Sequence, residues 1–415
     1  MIQYGLCGRT LRHSYSKIIH EYLGNDAYEL LSLEKDELYE LFECRNFKAL
    51  NVTIPYKQDA LSLCDEVSDE AKAIGSVNTV VNKDGRLYGY NTDYFGFVYM
   101  LKRAGISLVG KKAVILGSGG TSLTAQAVCK GEGAREYVVV SRHGKVNYDN
   151  LSEHSDADIL INTTPVGMYP DNGRCPVNID VFKNLTGVVD VIYNPNKTAL
   201  VLEAEKRSIP STTGLPMLVA QAVRAHEYFF DTKMPDSVIE DVYYKCLMKT
   251  LNVVFVGMPG CGKTSVGKAY ADIVSRSFLD SDIFIEQQGM PIPEIFEKYG
   301  EDVFRDKETA AIKMLSSMSE KVIATGGGAV KRKENVEMMK QNGVVVYLKR
   351  DLDKLSTDGR PLSQGGEEKI KKLYEERHEL YENAADITIE THEDVDECAK
   401  RLYNMIEKAL PNLFE

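Results

Sequence analysis

The chain has no paired-cysteine motif, no excess of positive charge and no long apolar run, and each absence removes a class of protein. Its eight cysteines (7, 44, 64, 129, 175, 246, 261 and 398) are scattered, with no CxxC pair. That excludes the common zinc and thioredoxin spacings and predicts reduced thiols in a cytoplasmic protein. The seven histidines show no metal-like spacing, so surface or packing roles are expected of them. Fifty Lys and Arg against 61 Asp and Glu leave a net charge of −11. That argues against nucleic-acid binding through bulk charge, while leaving room for a local basic pocket that takes a small anion. No apolar stretch approaches the roughly eighteen residues that cross a bilayer. Arg9, Arg12 and Lys17 break up the N-terminal segment, so no secretory leader is expected there either.

What is present is globular. The 415 residues are 43% hydrophobic and 27% charged, enough for two or three domains with cores of their own. Two glycine-rich loops, each between a β-branched run and a helical pattern, organise the chain. The first is Leu116-Gly117-Ser-Gly119-Gly120-Thr-Ser122; the second is Val256-Gly257-Met-Pro-Gly260-Cys261-Gly262-Lys263-Thr264-Ser265. Strand, glycine turn, helix is the opening of a βα unit, and the alternation elsewhere predicts parallel α/β sheets. Residues 236–250 read as one amphipathic helix running almost directly into a strand at 252, which places the main boundary between 249 and 250 with little or no linker.

The first loop approximates a dinucleotide fingerprint, in which glycines let backbone N–H groups approach a pyrophosphate at a helix N-terminus. The next strand ends in Ser141-Arg142, with Lys145 close by, where an NAD enzyme usually carries an acid. A cation there suits a 2′-phosphate and predicts NADP. Against this stands a purely structural turn with a solvated arginine.

Around that loop lie seven ordered motifs. They are Leu11–His20 with Ser14, Ser16 and Lys17; Asn51-Val-Thr53-Ile-Pro-Tyr-Lys57; Ile74-Gly-Ser-Val-Asn78-Thr79; and Asn91-Thr-Asp93-Tyr-Phe-Gly96. Downstream are Asn162-Thr-Thr-Pro165, Asp190-Val-Ile-Tyr193-Asn-Pro and Gly214-Leu-Pro-Met217-Leu-Val-Ala-Gln221. Together they resemble the shikimate dehydrogenase family over residues 1–248. The resemblance implies a split substrate domain (1–96 and 214–249) with a Rossmann NADP domain (97–213) inserted. It also implies that Ser14, Ser16 and Tyr193 hold the substrate carboxylate, that Thr53, Asn78 and Gln221 hold ring hydroxyls, and that Lys57 and Asp93 are the catalytic pair. Gly117, Gly119, Gly120, Ser141, Arg142, Asn162, Gly214 and Met217 would bind NADP. The chain departs from the family at Thr121-Ser122, at Ser141-Arg142-His143, and in the short stretch before Asn162, which predicts a cofactor domain lacking one helix.

The second loop satisfies GxxxxGK[ST] in the right setting. Backbone N–H groups would cradle phosphates, Lys263 would reach the β and γ groups, and Thr264 would face magnesium. Asp280-Ser-Asp282, Phe304-Arg305-Asp-Lys-Glu308, Gly326-Gly327-Gly328, Gly359-Arg360-Pro361 and Glu376-Arg377 follow in order. These resemble shikimate kinase over about 251–410, which implies a P-loop α/β domain of the nucleoside-monophosphate-kinase type with a parallel sheet (250–415). By that resemblance Gly260, Cys261, Gly262, Lys263, Thr264, Ser265 and Arg360 bind ATP, and Thr264 and Asp280 hold Mg2+. Asp282 activates the hydroxyl, and Arg305, Arg377 and Gly326–Gly328 bind the acid. Taken together, the resemblances imply a fused bifunctional enzyme whose first product is its second substrate. It would work on small molecules and use NADP(H), ATP and Mg2+, with no nucleic-acid or membrane partner. A quinate-preferring dehydrogenase paired with another kinase, and a ligand-sensing regulator without turnover, stay open at this point.

Overall fold

A computed structural model describes residues 2–11, 14–355, 366–391 and 394–414. The chain forms two compact units, Met1–Cys246 and Leu247–Glu415. The sequence placed the boundary at 249/250; the units divide a few residues earlier, inside the helix Asp236–Thr250. The reason is local. The last turn of that helix belongs to the second unit, where Arg276 donates to the Met248 and Leu251 carbonyls and Lys249 pairs with Glu320 at 3.3 Å.

The first unit holds two sheets. In the first, β1 (Ile2–Gly8), β2 (Tyr28–Ser32), β3 (Phe47–Val52), β4 (Glu66–Val67), β5 (Thr79–Lys83) and β6 (Arg86–Tyr90) are ordered 2-1-3-5-6-4. It is mixed: β1 runs parallel to β2 and β3, while β5 is antiparallel to both β3 and β6. The β5–β6 hairpin turns on Asp84-Gly85, both at positive φ (53° and 83°), the geometry that matches the twist of the paired strands.

The second sheet is wholly parallel. Its strands are β7 (Lys112–Leu116), β8 (Glu136–Val140), β9 (Ile159–Asn162), β10 (Gly187–Asp190) and β11 (Ser211–Thr212), in the order 11-10-9-7-8. Its central strands β7, β9 and β10 are buried along their whole length because both faces are covered. Ala113 and Ile115 join one core with Phe97, Met100 and Val128, whereas Val114 and Leu116 join another with Leu151, Leu160 and Leu200. The β8–β9 crossover carries a short 3-10 turn, Leu151–His154, where a crossover of this kind ordinarily has an α-helix.

Five helices of the first unit matter for function: α1 (Ser16–Tyr22), α2 (Lys57–Leu63), α3 (Asp93–Arg103), α4 (Gly120–Gly131) and α5 (Leu215–Phe230). Helices α3 and α5 pack together unusually closely at Gly96. A Cβ there would lie 2.5 Å from the Met217 carbonyl and 3.0 Å from Gln221 Cβ.

The second unit is built on one parallel sheet. Strands β12 (Asn252–Val256), β13 (Ser277–Asp280), β14 (Lys321–Ala324), β15 (Gly343–Lys349) and β16 (Ile387–Glu390) are ordered 13-14-12-15-16. Helix α6 (Lys263–Ile273) follows β12, and α7 (Ser281–Glu286) follows β13. The segment Ile292–Ser316 is two helices meeting at Gly300, whose φ of 83° breaks the helical path.

Gly96→Ala tests whether the α3–α5 contact is as tight as it looks. It is expected to destabilise the first unit by about 2 kcal/mol, the usual cost of overpacking. Hydrogen exchange of the Leu215–Phe230 amides should accelerate; unchanged exchange would mean that the helices separate without cost.

Candidate active sites

In the first unit, two helix N-termini converge on one ion pair. Lys57 opens α2 and Asp93 opens α3, and Lys57 Nζ lies 2.6 Å from Asp93 Oδ2. Asn91 fixes the carboxylate-bearing turn: its Oδ1 accepts from the Asp93 and Tyr94 amides, while its Nδ2 donates to Ser76. The Val77 amide bonds the Lys57 carbonyl at 2.9 Å, so the connection leading into β5 holds the lysine's backbone.

Next to the pair is a buried polar network. Asn78 Oδ1 accepts from the Thr92 amide at 2.8 Å, Asn78 Nδ2 donates to Thr92 Oγ1, and Thr92 Oγ1 donates to Gln221 Oε1 at 3.3 Å. Asn51 extends it, donating to Thr79 and accepting from the Tyr28 hydroxyl at 2.8 Å. The sequence singled out Asn78 and Gln221; Thr92 and Asn51, which join and brace them, were passed over although both lie inside the quoted motifs. Ser14 Oγ accepts from the Ser16 amide, and the Tyr15 ring packs on Tyr193 at 5.3 Å, which brings the two serines beside Tyr193. Burial pushes the Tyr193 hydroxyl up from its usual pKa. Thr53 is half-buried with its methyl against Gly8, where a Cβ would collide with it. His20 belongs to packing: it is fully buried against Tyr28, and burial drives its pKa down to about 3.

The glycines of the first loop divide into two kinds. At Gly117 (φ 105°) a Cβ would meet Thr163 Oγ1 at 2.8 Å, so the fold itself requires glycine. At Gly119 and Gly120 a Cβ would meet nothing within 4 Å. Helix α4 starts there with no side-chain cap, leaving first-turn N–H groups for an anion. Beyond β8 the Ser141–Gly144 turn presents Arg142 and Lys145 to solvent, and Arg142 has no carboxylate partner among the described residues.

Three more of the residues expected at the cofactor have contacts within the fold. The Asn162 side chain is fully buried, donating to Asp190 Oδ1 and accepting from Thr164, so its amide shapes the end of β9. Met217 packs in the core with Phe97 and Ile115. Gly214 is glycine because a Cβ would collide with the Val191 carbonyl. Asp190, fully buried beneath Asn162, is pushed up to a pKa of about 6 by burial despite the hydrogen bonds from Thr198, Ile192 and Asn162.

In the second unit, the loop between β12 and α6 bends back through Gly260 and Gly262 (φ 86° and 99°). Lys263 is buried and its ammonium donates to the Gly257 and Met258 carbonyls at 2.9 and 3.0 Å. Cys261 is a buried filler and Ser265 is exposed. Thr264 Oγ1 donates to Asp280 Oδ2 at 3.0 Å, and Asp280 Oδ1 caps α7 through the Asp282 and Ile283 amides. A hydroxyl and a carboxylate so placed are hard oxygen donors of the kind Mg2+ takes. No cluster of three or more His, Cys, Asp or Glu able to hold a metal exists among the described residues, so phosphate oxygens and water would supply the remaining ligands.

Beside this loop three buried polar atoms have no hydrogen-bond partner: Asp282 Oδ1, Glu308 Oε1 and Arg377 Nε. They converge on the triple glycine. A Cβ on Gly326 would lie 2.7 Å from both Asp282 Oδ1 and Glu308 Oε1, and one on Gly328 would strike the Arg305 guanidinium. Arg305 is clamped by Glu308 at 2.7 Å and Glu301 at 2.9 Å, while Arg377 donates to the Gly327 carbonyl. Burial, with Asp280 and Glu308 nearby, raises the Asp282 pKa to about 6; burial also raises that of Glu308, against the pull of Arg305. Glu308 was quoted in its motif without a role. Its i,i+3 spacing from Arg305 puts both on one helix face, the signal that could have found it. Arg360 lies outside the described residues.

Comparison with known proteins agrees with this division. A family model described as shikimate dehydrogenase substrate binding domain matches residues 6–80, and one described as shikimate kinase matches 259–407. The chain is 38% identical over 260 residues to a shikimate dehydrogenase (NADP(+)) of Clostridium beijerinckii, covering 58% of this chain and 96% of that one. A chorismate mutase/shikimate 5-dehydrogenase fusion protein from Clostridium acetobutylicum superposes with a TM-score of 0.56 at 33% identity, over 59% of this chain and 96% of the other. The Thermus thermophilus shikimate 5-dehydrogenase in complex with NADP(H) and shikimate gives 0.54 at 30% identity, over 59% and 99%.

The two kinds of glycine respond differently to substitution. Gly214→Ala should destabilise the first unit by about 1–3 kcal/mol. Gly120→Ala should stay within about 0.5 kcal/mol of the parent yet lose most of the melting-temperature gain that a bound dinucleotide confers. A Gly120→Ala protein that keeps the full gain would remove this loop from the cofactor site.

Proposed function

Because the chain belongs to the shikimate dehydrogenase family through its first unit and carries a shikimate kinase domain in its second, it is a fused bifunctional enzyme, and we propose two separate sites acting in turn on one ring acid. The first reduces 3-dehydroshikimate to shikimate with NADPH. The second transfers a phosphoryl group from ATP to shikimate, giving shikimate 3-phosphate. The observation that carries the reading is the 2.6 Å contact between Lys57 Nζ and Asp93 Oδ2, an acid and its orienting base at the meeting of two helix N-termini.

In the dehydrogenase site, Ser14, Ser16 and Tyr193 would anchor the carboxylate and Asn78 and Gln221 the ring hydroxyls. The open backbone at Gly119 and Gly120 fits a pyrophosphate, and Arg142, exposed and without a carboxylate partner among the described residues, fits a 2′-phosphate. The bound dinucleotide supplies the hydride. As charge develops on the carbonyl oxygen, the Lys57 ammonium stabilises it and gives it a proton, while Asp93 keeps the ammonium aimed.

In the kinase site, Arg377, whose buried Nε makes no hydrogen bond, with Arg305 beside it, would take the shikimate carboxylate. Asp282 Oδ1 accepts the proton of the attacking hydroxyl, whose oxygen bonds the γ-phosphorus as ADP departs. Lys263 leaves the loop carbonyls for the phosphate oxygens, and Thr264 with Asp280 would hold magnesium against them. Charge stabilisation supplies the catalysis; no covalent enzyme intermediate is needed. The exposed thiol of Cys44 supports a reducing compartment, the cytoplasm.

Lys57→Ala should abolish only NADPH-dependent reduction and Lys263→Ala only ADP formation, each by about a thousandfold or more. Loss of both activities from either substitution would contradict two independent sites. The kinase should also show an acid limb: because the Asp282 pKa is raised to about 6, its basic form is present above that value. Its kcat/KM should therefore fall as pH drops through about 6, while Asp282→Asn removes activity at every pH.

A further inference from the structure

We propose that Arg350 belongs to the nucleotide site of the kinase unit, gripping the polyphosphate of a bound nucleoside di- or triphosphate alongside Lys263. The proposal rests on reading Gly257–Thr264 as the phosphate loop. Arg350 directly follows β15, the strand paired with β12, whose end feeds that loop; Tyr347 is in register with Val256. The end of β15 therefore lies against the loop. The Leu348 carbonyl is 2.7 Å from where a Cβ on Gly257 would stand, and Arg350 Nη1 is 3.7 Å from the corresponding point on Gly262. A guanidinium thus rests over the bare backbone of Gly262, the residue that precedes Lys263 and starts the uncapped helix α6.

Lys349 pairs with Glu382 at 3.6 Å and Lys354 takes Asp351 at 2.8 Å, while exposed Arg350 has no carboxylate partner among the described residues. Two cationic side chains and the positive end of a helix are gathered at one loop, and only the Lys263 ammonium is met, by the Gly257 and Met258 carbonyls. Gathered cations repel unless an anion lies between them. A polyphosphate offers paired oxygens to the guanidinium fork, a geometry lysine cannot match.

The test uses the full chain and two probes, ADP and inorganic tripolyphosphate, titrated by calorimetry. Arg350→Ala should weaken both by about tenfold, as expected for a lost charge-assisted bond, with Arg350→Lys recovering part of the loss. Shikimate affinity and dehydrogenase turnover should not change. Unaltered tripolyphosphate binding overturns the proposal; if ADP alone weakens, Arg350 meets the base and not the phosphates. A parallel loss of shikimate affinity also overturns it, because the effect would then come from general distortion. Lys263→Ala separates the two levels. If it abolishes tripolyphosphate binding and Arg350→Ala does not, only the role of Arg350 fails. If neither matters, the phosphate-loop reading fails as well.

Discussion

A polar atom held away from water without a partner costs about 1–3 kcal/mol, and the kinase unit keeps three of them within reach of one triple glycine. Asp282 Oδ1, Glu308 Oε1 and Arg377 Nε are sealed and make no hydrogen bond. Much of what surrounds them exists to make that arrangement tolerable. Glu301 and Glu308 clamp Arg305 on two sides, Tyr381 and Arg377 both donate to the Gly327 carbonyl, and Gly326 has no side chain because two carboxyl oxygens already crowd its Cβ position. The raised pKa of Asp282 is the same fact seen through its proton: a carboxylate denied water and set near other acids holds on to hydrogen.

The dehydrogenase unit solves its problem the opposite way. Asn51, Thr79, Asn78, Thr92 and Gln221 bond to one another in sequence, so the groups proposed to hold the ring hydroxyls are braced by neutral partners. Ketone reduction moves one proton and one hydride and asks for one well-aimed cation. Phosphoryl transfer brings anionic oxygens together and asks for several. The contrast between an amide–hydroxyl lattice and a guanidinium–carboxylate cage follows from that difference in charge.

Legibility in the sequence followed this physics. Strand, glycine turn and helix could be read at both loops because the backbone needs there, at Gly117, Gly260 and Gly262, are local. The missing crossover helix before Asn162 was visible as a short count of residues. What the motifs could not convey is which way a side chain faces. Within strings shared with cofactor sites, Asn162 bonds Asp190, Gly214 abuts Val191 and Met217 packs in the α3–α5 core. Thr92 was overlooked for the converse reason: it acts through Asn78, and partnership across elements leaves no mark in one chain's spacing, whereas Glu308 did leave one in its i,i+3 spacing from Arg305. The domain boundary moved because Arg276 claims the end of a helix that periodicity assigns to the unit before it.

A chain of net charge −11 that handles anionic ring acids and polyphosphates would repel its own ligands if bulk charge governed binding. It does not, because surface charges are screened over about 8 Å at physiological ionic strength, whereas charges within a site act across a few ångströms of poorly screened interior. Local sign is therefore what has to be arranged. Arg305 and Arg377 are buried beside the triple glycine, Lys263 is buried in the phosphate loop with Arg350 above it, and Arg142 stands exposed just beyond β8. Acidic residues spread over the rest of the surface serve solubility, and the cost of concentrating cations is confined to the places where a phosphate or carboxylate would offset it.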